Sequence, residues 1–518
     1  MSATVKLKNF HNAKWDEPII FELSEPGSRG ILLPAVEEGV RAASCGELVP
    51  SALRRERPPA LPEIAQPQVL RHFLRLSQET MGQDINIDIG LGTCTMKYSP
   101  KINEQFVRSP KLTELHPLQD PSTTQGILSI LYQFEQLMKE ISGMDAFSFQ
   151  PAGGGAGIYS NAAILKKYFE ERGEAQQRTQ IITTILSHPL NSAAPATCGF
   201  EVITLMPDER GYPSLESLKA VLSEKTAGIF ITNPEDTGVF NPIIRQFIDE
   251  VHKVGGLCIC DMADYNGMFG IIRPRDLGAD MCHFNLHKSF SSPHGCMGPA
   301  CAAQGVTEAL AKYLPSPRVT FDGSAYGLDS GGAHSIGKIR QFQGVVAAVV
   351  RAYAWVMSLG AEGLKEVAET AILNNNYMMR RMMQEVRGIS IPWSEVECHR
   401  LEQVRYSWEQ LYRDTGVCSD DINRRMQDFG FQRFFPSHHP LIVAEPYTPE
   451  PTESYSKADI DEYIEALKYI SQEAYEHPEV VKTAPHRGSI GNIPNNTISD
   501  PEDLCVTWRV YRRKKGLG

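Results

Sequence analysis

The sequence predicts an α/β protein: a mostly parallel sheet with helices on both faces, followed by a smaller α+β domain. Three observations lead there. Between about residues 145 and 300, short β-rich runs alternate with amphipathic stretches, the rhythm of strand–helix–strand units. Several of those runs end in polar or ionisable residues, and parallel sheets bind ligands at the carboxyl ends of their strands. From about residue 335 the pattern turns to long helical stretches and then to a mixed segment. At 518 residues the chain is too long for one core.

Composition narrows the function classes. The chain is 42% hydrophobic and 22% charged, which is ordinary for a folded globular protein. Lysines and arginines number 51 against 62 aspartates and glutamates, a formal charge of -11, which argues against nucleic acid or an anionic membrane surface as partner. The longest apolar stretch, Gly344 to Met357, is short and carries Arg351, so no membrane span is expected. The first ten residues contain no apolar core of a secretory signal. Eleven cysteines are scattered with no CxxC pair, the usage expected of a reduced, cytoplasmic protein without structural zinc. A cytoplasmic enzyme or a large binding protein remains.

Taken in order, residues 1 to about 68 are punctuated by prolines and glycines and read as an extended arm. A glycine-rich loop follows at Gly90–Lys97, and Gly126–Ser142 has helical apolar spacing with Gly143 as its stop. The β-rich runs are Ala146–Gln150, Gln180–Ser187, Glu201–Met206, Ala227–Thr232, Leu257–Asp261 and Met281–Leu286. Helical patterns at Ile158–Arg172, Ser214–Ser223 and Ile243–Val254 separate several of them. Ile339–Leu359, Gly363–Val386 and Lys457–Glu476 are expected helices of the last third, and the basic tail Arg512–Lys515 is expected to be solvated. The expected divisions are an arm and helical segment over 1–110, a large domain over 111–335 and a small domain over 336–518.

The strand ends carry the chemistry. The first run leads into Gly153, Gly154 and Gly155 ahead of a helix, where backbone N–H groups and the helix dipole favour a phosphate. A tight turn packed on the sheet would explain those glycines equally well. The second run ends at His188, which alone reads as a structural histidine. The fourth ends at Asn233-Pro234, a favoured turn pair. The fifth ends at Asp261, costly to bury unpaired, with Ala263 two residues on and on the same face. The sixth ends in His287-Lys288; a lysine just past a strand is commonly a surface residue. Together they match one cofactor. Pyridoxal 5'-phosphate needs a phosphate cradle, a ring-stacking group, an acid at the pyridine nitrogen and a lysine for the Schiff base. Gly153–Gly155, His188, Asp261 and Lys288 supply these in order, with Asn233, Ala263 and His287 as further cofactor-binding candidates. An apolar, cationic setting is expected to lower the Lys288 pKa.

The chain resembles the glycine dehydrogenase (decarboxylating) subunit 2 family, the P-protein of the glycine cleavage system. The resemblance is carried by EPIIFELSEPGSRG (17–30), RHFLRLSQ (71–78), GLGTCTMKYSPKINE (90–104), LHPLQD (115–120) and FSFQPAGGGAG (147–157). It continues through TNPEDTGVF (232–240), HFNLHKSFSSPHG (283–295), SIGKIRQF (335–342) and EPTESYSK (450–457). It implies a fold type I, aspartate aminotransferase-like enzyme with Lys288 as Schiff-base lysine, Asp261 at the pyridinium and His188 stacked on the ring. It also implies that the loop Thr93–Lys97 reaches the active site. Departures from the family pattern fall at Ile158, at Ser187–Pro195, at Met262–Gly267, at Cys296 and Met297, and at Cys398–Arg400.

These departures shift the expectation toward a diverged paralogue that forms a Cα carbanion from a larger amino acid. Thr93, Cys94, His294 and Arg400 are then its substrate candidates; Tyr159, Asp264 and Tyr265 read as packing or loop residues. The alternative is a genuine glycine-decarboxylating subunit 2, working with a subunit 1 partner and a lipoyl carrier protein. A silent scaffold is a third reading, opposed by Lys288 and Asp261. The fold implies a homodimer or a heterodimer with a subunit 1 chain.

Overall fold

The computed structural model describes residues 6–42, 49–82, 84–294, 300–394, 399–438, 442–493 and 507–517. The centre is a seven-stranded sheet: β1 (Ala146–Ser148), β2 (Gln180–Thr184), β3 (Glu201–Leu205), β4 (Thr226–Thr232), β5 (Leu257–Met262), β6 (Met281–Asn285) and β7 (Ala302–Val306). The spatial order is β1-β7-β6-β5-β4-β2-β3. Strands β3, β2, β4, β5 and β6 run parallel, whereas β7 is antiparallel to both β6 and β1. The sheet is therefore mostly parallel, as expected.

Apart from the edge strand β3, its strands are buried on both faces, which is why they read as apolar runs. In β4, Ile229 and Ile231 join one core while Phe230 between them joins another on the opposite face, the period-two alternation of a strand; Ala227 joins the Phe230 side, where the pairing with β2 shifts register. Strand β7 escaped the sequence reading because it is built of small residues. A Cβ at Gly305 would stand 2.5 Å from the Phe147 ring, and buried Gln304 spends its amide on Ser160 and Asn161.

Two of the expected helices, Ile339–Leu359 and Gly363–Val386, are two arms of the single element Val346–Glu385, broken at Gly360, whose φ is +66°. The start moves to Val346 because Gly344, at φ +81°, lays its backbone against Phe149 and Gln150. The first arm packs into the large-domain core through Ala348, Val349, Trp355 and Val356. The second contributes Met378 and Met382 to a separate core with Trp408, Tyr447, Tyr463 and Ile464. That second core belongs to the small domain, which adds a two-stranded sheet, β10 (Tyr406–Ser407) with β11 (Pro446–Tyr447), after the hairpin β8 (Arg318–Phe321) and β9 (Tyr326–Asp329). The helix Lys457–Glu476 lies where it was expected.

Residues 1–8 and 83–484 form one compact unit, and residues 9–82 with 485–518 form the other. The last residues thus group with the N-terminal arm rather than with the small domain. In that second unit Glu17 accepts from His72 at 2.8 Å and Arg75 at 3.1 Å, both on the helix Gln66–Gln78, and Phe21 stacks on Trp508. Burial is slight along much of the arm, as its proline-rich composition predicts. No described helix is long and apolar enough to cross a membrane.

Candidate active site

The parallel register lines up Thr232, Asp261 and His283 across β4, β5 and β6 at their carboxyl ends. Asp261 is 3% exposed, and every oxygen is engaged. Asn191 Nδ2 donates to Oδ2 at 2.9 Å, the Ala263 N–H donates to Oδ1 at 3.0 Å, and His283 Nε2 lies 3.0 Å from Oδ1. Burial opposes ionisation of this carboxyl, but His283, His188 and the Ala263 amide outweigh it and hold its pKa well below the usual range. An ionised acid at a strand end is what a protonated ring nitrogen requires.

The glycine turn packs against the same strand ends. The helix Gly154–Glu171 opens directly on it, with Gly153 at φ +142° as its cap. A Cβ at Gly154 would meet Asn285 Nδ2 at 2.8 Å, one at Gly155 Leu190 Cδ1 at 2.9 Å, and one at Gly157 the His283 ring at 3.1 Å. Backbone here packs against Asn285, Leu190 and His283 as closely as side chains allow, which accounts for the glycines by packing. The fit to a phosphate group rests on the first-turn N–H groups of the helix that opens at this turn.

Lys288 follows β6 in a tight turn, its N–H bonded to Asn285 O and its C=O to the Ser291 N–H. Burial works against its charge, yet Cys94, Asp264, Asp261 and Glu450 outweigh it and raise its pKa. The expected lowering is therefore corrected: the setting is anionic rather than cationic. His287 is pushed down to about 3 by burial, His294 and Lys288, and its Nδ1 lies 3.1 Å from Cys301 O. His294 crosses the His287 ring edge-on at 4.3 Å. His188 accepts the Leu190 N–H on Nδ1 at 3.1 Å and meets His438 edge-on; burial lowers its pKa against the pull of Asp261.

A second layer escaped the strand-end reading because it comes from loops. Thr95 donates to Asp264 Oδ1 at 2.6 Å. Lys97, 4% exposed, donates to Asn266 Oδ1 at 2.7 Å and pairs with Glu453 at 3.0 Å, over the Trp355 ring. Glu402 takes the Gly267 N–H at 2.5 Å, and Glu450 lies fully buried nearby. Burial and the neighbouring Asp264 push both glutamates well above the usual carboxyl range. The loop Thr93–Lys97 does approach Lys288, through Cys94, Thr95 and Lys97. The family motifs GTCTMK and EPTE were the available signals for this layer, since neither has a periodicity.

Other candidates face elsewhere. Arg400, offered as a substrate group, is 2% exposed and directs its guanidinium at the carbonyls of Pro392 and Trp393, where it anchors a loop. Asn233 spends both ends of its amide on the Asn241 backbone, holding its own loop. Ile158 is a core residue. Tyr265 is buried with its hydroxyl on Ile272 O, and Tyr159 is exposed. Thr93 lies in the 3-10 turn Ile89–Cys94. Cys296, Met297 and Cys398 lie outside the described residues.

Comparison with known proteins adds the following. Residues 154–316 match the aminotransferase class-V family, and residues 367–488 match the glycine dehydrogenase, C-terminal domain family. A probable glycine dehydrogenase (decarboxylating) subunit 2 from Pyrococcus horikoshii is 42% identical over 512 residues, covering 98% of this chain and 99% of the relative. One of the same name from Halalkalibacterium halodurans is 39% identical, covering 93% and 97%. Among solved structures, an inhibitor-bound glycine decarboxylase (P-protein) of the glycine cleavage system superposes with a TM-score of 0.67 at 18% identity, covering 84% of this chain and 95% of that one. The cysteine desulfurase CsdA from Escherichia coli superposes at 0.57 and 12% identity, covering 76% and 96%.

Proposed function

This chain belongs to the glycine dehydrogenase (decarboxylating) subunit 2 family of pyridoxal-phosphate-dependent enzymes, and on that footing we propose that it decarboxylates glycine with that cofactor. Full-length identity near 40% to relatives of that name supports this reading over a paralogue acting on a larger amino acid. The observation that carries it is the placement of the substitutions. Ile158 sits in the core and Arg400 anchors a loop, so two of the changes that pointed to a larger substrate do not line the site.

The residues divide the work. Gly153, Gly154 and Gly155, at the start of the helix, would offer backbone N–H groups to the phosphate. His188 would lie on the ring face, and ionised Asp261, fixed by Asn191 and Ala263, would hold the proton on the ring nitrogen. Lys288 would carry the covalent link through Nζ. The cofactor, when bound, supplies an electron sink for the pair left on Cα as carbon dioxide departs. The Thr95–Lys97 loop is fixed beside these groups, with Thr95 on Asp264 and Lys97 on Glu453 and Asn266. We propose a subunit 1 chain as partner and a lipoyl carrier protein as acceptor of the aminomethyl group.

The test is exchange of labelled bicarbonate into glycine by the purified chain with its subunit 1 partner. Label exchange that Lys288→Ala abolishes is expected. A cofactor absorbance band with no exchange at any glycine concentration would overturn the glycine assignment.

A further inference from the structure

Beside Lys288 lies a pair of acids that neither the cofactor nor the arm uses. Glu450 is 1% exposed, and among the described residues neither of its carboxyl oxygens has a hydrogen-bond partner. Asp264 Oδ2 is likewise buried without one, while its Oδ1 takes the Thr95 hydroxyl at 2.6 Å. The two carboxyls face each other closely enough to hydrogen-bond once one carries a proton. Two buried carboxylates in contact cannot both stay ionised, because each would lack a donor and repel the other. Lys97 attracts both carboxyls, but it spends its hydrogen bonds on Asn266 and Glu453. The groups facing Glu450 are Asp264, Glu402, the Thr95 hydroxyl, Lys288 and Lys97, and of the two cations Lys97 is already paired with Glu453.

We propose that Asp264 and Glu450 share one proton and exchange it with the Lys288 amine. The inference deepens the proposed function and rests on Lys288 being the cofactor lysine. When that lysine is released as a free amine, the carboxyl O–H bond breaks and an ammonium N–H bond forms, leaving two carboxylates facing the new cation. When the lysine re-engages, the proton returns to the pair. The pair thereby keeps the charge of the pocket nearly constant while the lysine alternates between its two states, and it acts through Lys288 as a positioning and proton-holding element. Its three segments of origin, the turn after β5, the turn after β6 and the stretch after β11, bring these groups together only in the folded chain.

The test is infrared difference spectroscopy of the full-length purified protein at neutral pH. In the cofactor-loaded protein, the native-minus-variant spectra of Glu450→Gln and Asp264→Asn should each show loss of the same deuterium-sensitive carboxylic-acid carbonyl component, and Glu453→Gln should leave it; other buried protonated carboxyls such as Glu235 are common to all the proteins and cancel. In the cofactor-loaded protein, both substitutions should also remove one limb of the pH profile of bicarbonate exchange. Should Glu450→Gln fail to fold, Asp264→Asn carries the test alone. No lost component with either substitution would overturn the pair. A cofactor-loaded protein that shows the lost component yet exchanges no label at any glycine concentration would leave the pair standing and remove the proposed function.

Discussion

Replacing Glu235 by Gln should flatten a loss of stability that the native chain suffers as pH rises. Glu235 sits in the loop after β4 at 3% exposure, and its described hydrogen-bond donor is the Thr184 hydroxyl at 2.9 Å. Burial pushes its carboxyl from 4.5 up to about 8, with Asp236 adding to the rise and Thr184 restraining it. The folded state therefore holds a proton that the unfolded chain gives up. The stability tied to that proton is intact below about pH 4.5 and is lost as pH climbs toward about 8. At about 1.4 kcal/mol per pH unit, the loss between about pH 6 and about pH 8 comes to about 2 kcal/mol. Glutamine keeps the shape and an acceptor for Thr184 but has no proton to lose. Urea unfolding followed by tryptophan fluorescence at the two pH values, on both proteins, isolates the difference. Native and Glu235→Gln curves that shift in parallel with pH would refute the assignment of a protonated, buried Glu235.

Three further outcomes are expected. Gly154→Ala drives a Cβ against the Asn285 amide at 2.8 Å and should weaken cofactor binding by about 1–3 kcal/mol in an absorbance titration, whereas Gly155→Ala meets only the flexible end of Leu190 and should cost less. Asp261→Asn removes the charge that His283 and His188 sustain; bicarbonate exchange should fall on the order of 100-fold while the cofactor band persists, and unchanged exchange would count against its role. Lys97→Met leaves half-buried Glu453 and buried Asn266 without their cation and should destabilise the chain by about 1–3 kcal/mol, read as a lower urea midpoint.

What was legible in the sequence was whatever a strand or a helix start places mechanically. Asp261, Lys288 and the glycine turn could be read off because parallel strands deliver their last residues to one edge, and an ionisable residue there stands out against an apolar run. Loops carry no such period, so Glu450 and Lys97 were visible only inside family motifs, without a role, and Glu402 lay outside every motif. Charge was misread for the same reason. A lowered Lys288 pKa followed from the strand alone, but the carboxyls that reverse it arrive from residues far along the chain. Arg400 shows the converse: a charge reversal in sequence looked like substrate recognition, and in the fold it ties down Pro392 and Trp393. The antiparallel β7 was hidden because close packing against Phe147 selects glycine and alanine there over β-branched residues.

The loop ahead of Lys97 has a mechanical meaning beyond its contacts. At Gly92, φ is +23°, and a Cβ there would stand 2.1 Å from the Thr448 carbonyl oxygen. Gly90 O accepts the Phe435 N–H at 2.7 Å, and Ile89 O accepts the Glu450 N–H at 2.9 Å. Residues 89–92 are thus stitched to the small domain's own backbone, although more than 340 residues of chain lie between them. Cys94 and Glu450 therefore stand on one backbone frame, while Asp264 and Lys288 come from the sheet. The lysine's acidic surroundings exist only where that frame docks on the strand ends, so a substitution that unpicks residues 89–92 should reach the lysine without touching it.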